Sequence, residues 1–92
     1  MSYYPQLWRE MHTKAAANNS RSYFCGWVRN LWTRLHCDKC QQHLQEYLSA
    51  CPPESAPDLF VWSWELHNEV NVRLGKPVYP YHVAAIEHHV WR

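Results

Sequence analysis

No stretch of this sequence is long and apolar enough to cross a bilayer, and Met1-Ser-Tyr-Tyr-Pro5 lacks the basic and then apolar run of a secretory leader. Neither a membrane span nor export by the general route is expected. Charge of one sign is also lacking: nine Lys and Arg face eight Asp and Glu, and the basic residues are scattered along the chain. That excludes the positive stripe with which a nucleic-acid-binding domain attracts phosphate. There is no internal repeat and no low-complexity tract. No segment alternates apolar and polar residues between turn signals, so the strands and βαβ crossovers of a thioredoxin-like domain find no support. The one linker-like piece is Pro52-Pro-Glu-Ser-Ala-Pro57, whose three prolines forbid a continuous helix.

What is present suits one small folded domain spanning 1–92. Apolar residues make up 47% and aromatics 15%, with six tryptophans, which is ample material for a core and argues against disorder. A chain of 92 residues buries a modest share of its surface, so a staple, a cofactor or a partner would help it. The periodicity reads as five helices with short connections, an antiparallel bundle. The first follows Pro5, runs to about Ala17, stops at Asn18-Asn19, and aligns Leu7, Trp8, Met11, His12 and Ala15. In the second, Phe24, Trp27, Val28, Leu31, Trp32 and Leu35 recur at helical steps after Ser20 or Ser22 as N-cap. The third begins near Cys37-Asp38 and carries Cys40, Leu44, Tyr47, Leu48 and Cys51 on one side before Pro52 stops it. The fourth is capped by Asp58, shows Phe60, Val61, Trp64, His67, Val70, Asn71 and Leu74, and ends at Gly75. A short fifth runs from about Pro80 to Val90 and carries Val83, Ile86 and Val90.

Cys37-x-x-Cys40 therefore sits at a helix N-terminus, where two thiols can close a small disulfide ring and the helix dipole favours a thiolate when it opens. Lys39 should add to that preference and Asp38 oppose it. The same spacing also serves zinc, with His82 and His88 as the remaining ligands, although the intervening loop is far longer than a zinc finger's. Further on, His67 and Asn71 lie one turn apart on a helix face otherwise lined by Val70 and Leu74. They are either satisfied locally or turned toward a planar polar ligand.

Three blocks in order, Trp8-x-x-x-His12, Cys37-x-x-Cys40 and Trp62-x-x-x-x-His67-Asn68-x-Val70-Asn71-x-x-Leu74-x-Lys76-Pro77, resemble the Erv/ALR family of FAD-linked sulfhydryl oxidases, especially its compact virus-encoded members. The resemblance implies a four-helix bundle with a short fifth helix, FAD held at the bundle mouth, and a homodimer, for which Tyr23, Trp27 or Trp32 offer apolar surface. It assigns Trp8, His12, Cys40, His67, Asn68, Val70, Asn71, Leu74 and Lys76 to the cofactor. Cys37 would exchange with protein dithiol substrates, Cys40 would face the flavin, and molecular oxygen would leave as hydrogen peroxide. The setting implied is the host cytosol or the virion, with the mitochondrial intermembrane space as the alternative. An interaction module, structural or zinc-stabilised, is the competing reading from another class.

The sequence departs from the family pattern in places. Trp64 and Tyr81 stand where many members have a structural disulfide, and on a shared backbone the two rings should pack together. His36 replaces the usual proline before the redox pair, and His82, His88 and Trp91 lie where some relatives contact the cofactor from the C-terminal helix. Cys25 and Cys51 fall at similar heights on the second and third helices, and are a clip across that hairpin, two buried thiols, or a shuttle pair.

Overall fold

A computed structural model describes residues 4–17 and 20–90; the Asn18-Asn19 stop and Trp91 lie outside the described residues. Every regular element among the described residues is helical: α1 Tyr4–Ala17, α2 Arg21–Arg29, α3 Asp38–Ala50, α4 Leu59–Arg73 and α5 Tyr81–Glu87, with 3-10 turns at Leu31–Arg34 and Pro53–Ser55. The all-α expectation holds. The elements gather into two compact units, one built on α1, α4 and α5 and the other on α2, α3 and both 3-10 turns.

In the first unit α1 packs along α4. Leu7, Met11, His12 and Ala15 form the buried stripe of α1, as their spacing requires, and Leu59, Trp62, Ser63 and Leu66 form that of α4. Asp58 caps α4 by accepting hydrogen bonds at Oδ1 from the Phe60 and Val61 amides, at 2.9 and 3.2 Å. At the other end Gly75 adopts φ +70°, and the Gly75 and Lys76 amides donate back to the Val72 and Asn71 carbonyls at 3.1 and 2.8 Å. This double bond is the Schellman stop that the Gly75 signal implies. Leu74 lies on the turn itself and is 59% exposed, so it does not continue the buried stripe.

The fifth helix is shorter than the sequence suggested, ending at Glu87, with Ala84 and Ala85 rather than Ile86 facing inward. His89 explains the early stop. It takes φ 58°, and the amides of His89 and Val90 return to the Ile86 and Ala85 carbonyls at 3.3 and 2.9 Å, a second Schellman closure without glycine. Val90 is buried beyond the reversal.

In the second unit Ser20 is the N-cap of α2, its Oγ accepting from the Tyr23 amide at 3.2 Å. Phe24, Cys25, Val28 and Leu31 are buried, but the continuous helix read through Leu35 does not form. At Asn30 the side-chain amide donates to the Gly26 carbonyl at 2.9 Å, and Thr33 Oγ1 donates to the Asn30 carbonyl at 2.7 Å. These local bonds compete with the α-helical ladder and tighten the chain into 3-10 geometry. The tighter turn rotates the apolar row, leaving Trp32 43% exposed. In α3 Leu44 and Leu48 are buried, whereas Cys51 is the exposed C-cap residue, so two buried thiols at Cys25 and Cys51 are ruled out. The proline segment is tied down by Arg21, which donates to the Pro53 and Ala56 carbonyls at 3.1 and 2.6 Å. A two-pronged Arg29–Glu54 pair adds a surface contact that stabilises by at most about 1 kcal/mol.

Space surrounds Gly75, yet its positive φ penalises any Cβ. Gly75→Ala should therefore destabilise the chain by about 1 kcal/mol and lower Tm by roughly 4–8 °C. Thermal unfolding followed by circular dichroism measures this, with Gly75→Asn expected to lose less.

Candidate functional site

One turn after its start, α1 presents Trp8, and one turn later His12. These meet His67 of α4. The Trp8 and His67 rings lie face to face, 4.2 Å between centroids and 8° from parallel, and the His12 ring lies 5.2 Å from that of His67. His12 is buried, with Nδ1 2.9 Å from Ser63 Oγ and Nε2 2.9 Å from His67 Nδ1. Burial holds both imidazoles neutral: it is the main cause of the drop to about 3 at His12, which the nearby His67 and His88 reinforce. At His67 burial comes first again and the Lys76 ammonium second, bringing the value to about 4. Lys76 is exposed, and its positive charge acts on the His67 side of this uncharged platform.

One residue further along α4, the Asn68 amide clamps the chain that follows. Its Oδ1 accepts from the Tyr79 amide at 2.7 Å and from Asn71 Nδ2 at 3.1 Å, while its Nδ2 donates to the Tyr79 carbonyl at 3.0 Å. Tyr79 in turn places its ring 5.4 Å from that of His67 and donates its hydroxyl to Glu87. Burial and that bond push the phenol well above its usual range. Sequence reasoning passed over Ser63, Tyr79 and Glu87. Ser63 left a trace, a small polar residue within an apolar run one turn before His67, but nothing in the local pattern marks Tyr79. His88, named as a C-terminal cofactor candidate and as a possible zinc ligand, joins the cluster 5.4 Å from His12, whereas His82 is exposed.

The redox pair belongs to the second unit. Cys37 is itself the N-cap of α3, in extended conformation, and its Sγ accepts from the Cys40 amide at 3.3 Å. Gln41 steadies the approach by donating to the Leu35 carbonyl at 2.8 Å. Cys37 is held below the ordinary thiol range, first by the Cys40 thiol hydrogen-bonded to it and next by the Cys40 and Lys39 amides, with Asp38 in opposition. Lys39 thus acts through its backbone N–H. Cys40 moves upward, chiefly through the same bond to Cys37 and then through burial. Among the described residues no group of three or more His, Cys, Asp or Glu side chains is placed to hold a metal ion, and no helix is long and apolar enough to cross a membrane.

Comparison with known families matches residues 5–92 to the Erv1 / Alr family. The chain belongs to the Erv1/Alr family. Its Erv1/Alr relatives include the 088R protein of Frog virus 3 (isolate Goorha), 29% identical over 79% of this chain and 57% of that protein. The FAD-linked sulfhydryl oxidase of one African swine fever virus isolate is 32% identical over 80% of this chain and 69% of its own length. Sulfhydryl oxidase 1 of Oryza sativa subsp. japonica is 33% identical over 76% of this chain but only 15% of its own. The chain thus spans a little over half of the frog virus protein and a small part of the plant one. No solved structure matches it. The Trp64 and Tyr81 rings pack edge to face, 5.3 Å apart at 83°, as expected. The Trp64 indole also donates to the Tyr79 carbonyl at 2.6 Å.

Two outcomes test this geometry. A double-mutant cycle with Trp64→Ala and Tyr81→Ala should give a coupling of about 0.5–1.5 kcal/mol in urea unfolding. Because His12 and His67 take protons less readily folded than unfolded, stability is full above pH 6.5 and is lost as pH falls toward about 4 and about 3. The urea midpoint should therefore drop between about pH 7 and about pH 5, and drop less in His12→Gln.

Proposed function

We propose that this chain is a FAD-dependent thiol oxidase, folded as one Erv1/Alr domain over residues 1–92, that forms disulfides in protein dithiols. The observation that carries the reading is the neutral, flat Trp8–His67 platform with the Lys76 charge acting on its His67 side. It suits a planar heteroaromatic ring system joined to a diphosphate: uncharged rings stack, amides read ring edges and an ammonium meets phosphate. The name of the viral relative supports the same cofactor and activity, and that of the plant relative the same activity. Trp8, His67, Asn68, Val70, Asn71, Leu74 and Lys76 would hold the group, with His12 behind His67, and the family resemblance adds Cys40 as the sulfur that serves it. When bound, FAD supplies a two-electron acceptor that passes its electrons to oxygen, giving hydrogen peroxide.

The chain's own sulfurs carry out the exchange. A substrate thiolate attacks Cys37 Sγ of the Cys37–Cys40 disulfide, forming a mixed disulfide and releasing Cys40 as thiolate. The second substrate thiolate attacks the substrate sulfur of that mixed disulfide, and Cys37 departs with the bonding pair. Two electrons now reside on the Cys37–Cys40 dithiol. The amides that lower Cys37 make it a good leaving group in the second step. While Cys37 is tied up in the mixed disulfide, the bond that raises Cys40 is gone, which favours its thiolate. Homodimerisation through the exposed Tyr23 and Trp32 belongs to the same reading, and the viral relatives favour the host cytosol or virion.

Oxygen uptake with dithiothreitol tests the proposal. Cys37→Ser and Cys40→Ser should each lose turnover by at least about a hundredfold while retaining the flavin absorbance. Protein purified without flavin that does not take up added FAD refutes the cofactor; turnover preserved in either variant refutes the sulfur roles. Sedimentation at micromolar concentration checks the dimer.

A further inference from the structure

Ser63 Oγ lies 2.8 Å from the Phe60 carbonyl oxygen and is placed to donate to it. A hydroxyl has one hydrogen. With that hydrogen on Phe60, Ser63 meets His12 Nδ1 at 2.9 Å as an acceptor, and Nδ1 must carry the proton of the neutral ring. His12 Nε2 is then a lone pair, so His67 Nδ1, 2.9 Å away, must be protonated to complete the next bond. The other ring nitrogen of His67, Nε2, is left unprotonated. The direction of three hydrogen bonds follows from one serine, because each neutral imidazole relays the choice from one nitrogen to the other.

We propose that Ser63 is a positioning residue which, through His12, locks His67 in the Nδ1–H tautomer, so that His67 Nε2 faces the ligand as an acceptor for an uncharged N–H or O–H donor. The ligand half of this inference rests on the oxidase reading and assigns that donor to a ring N–H or ribose hydroxyl of the flavin nucleotide; the tautomer half stands without it. Ser63, His12 and His67 also share no charge at neutral pH, since both rings titrate far below it. The relay therefore sorts donors from acceptors rather than cations from anions. Removing the hydroxyl deprives His12 Nδ1 of its acceptor in a buried site, where an unsatisfied N–H is costly. The His12 proton then moves to Nε2, His67 Nδ1 becomes the acceptor, and Nε2 of His67 becomes a donor.

Nitrogen NMR of the full chain labelled in histidine, with and without added FAD, reads this directly. The wild type should show a pyridine-type Nε2 and a pyrrole-type Nδ1 at His67; the reverse pattern overturns the inference. Ser63→Ala should invert the pattern and weaken FAD binding about tenfold, and Ser63→Thr, which keeps the hydroxyl, should restore both. An unchanged His67 pattern in Ser63→Ala overturns the role of Ser63. If Ser63→Ala does not fold, the wild-type and Ser63→Thr patterns decide. Wild-type protein that shows the locked tautomer but takes up no FAD overturns the oxidase reading and leaves the relay standing.

Discussion

The buried imidazole of His12 is the constraint on which the first unit depends. An imidazole can leave water only if it is neutral and both nitrogens are met, since an orphaned polar group costs about 1–3 kcal/mol. Both partners, Ser63 and His67, come from α4, more than fifty residues away in sequence. Sliding α1 by one turn, about 5.4 Å, breaks both bonds at once. The apolar stripe of Leu7, Met11 and Ala15 supplies the driving force for packing α1 on α4, but such stripes tolerate small slips. The polar chain inside them selects the register, and with it brings Trp8 flat against His67.

The same economy operates where α4 turns toward α5. One amide, that of Asn68, satisfies both backbone groups of Tyr79, and the Trp64 indole shares the same carbonyl. The Trp64–Tyr81 ring contact stands beside this clamp. Hydrogen bonds and ring contacts do not exchange with thiols, so this connection is indifferent to reducing thiols. A disulfide at the same place would instead be exposed to exchange with them.

The helices and their signals were legible in the sequence because caps are local. Asp58, Ser20 and Gly75 act within one turn of themselves, and each works in the structure as its position implies. The stripes of α1 and α4 followed from their period for a similar reason. Errors arose where a side chain competes with the backbone: Asn30 and Thr33 divert α2 into a 3-10 turn, and His89 supplies a left-handed stop that pattern reading reserves for glycine. Within the candidate site, Trp8, His12 and His67 lie in recognisable sequence blocks, and the structure brings their rings together. Ser63 and Tyr79 matter through partners distant in sequence, and no periodicity reports such pairings.

At the redox pair, sequence offered two nearby charges, Lys39 and Asp38, whose balance it left open. The structure shifts the question from charges to amides, because Cys37 occupies the N-cap and its sulfur takes the place usually filled by a serine or aspartate oxygen. A cap stabilises the charged acceptor more than the neutral one, so the helix start favours the Cys37 thiolate. Whatever stabilises the thiolate also stabilises the reduced pair relative to the disulfide. In the proposed oxidase the bond that begins α3 would therefore make a Cys37–Cys40 disulfide more oxidising, so that one feature of local helix geometry would serve both the fold and the exchange chemistry.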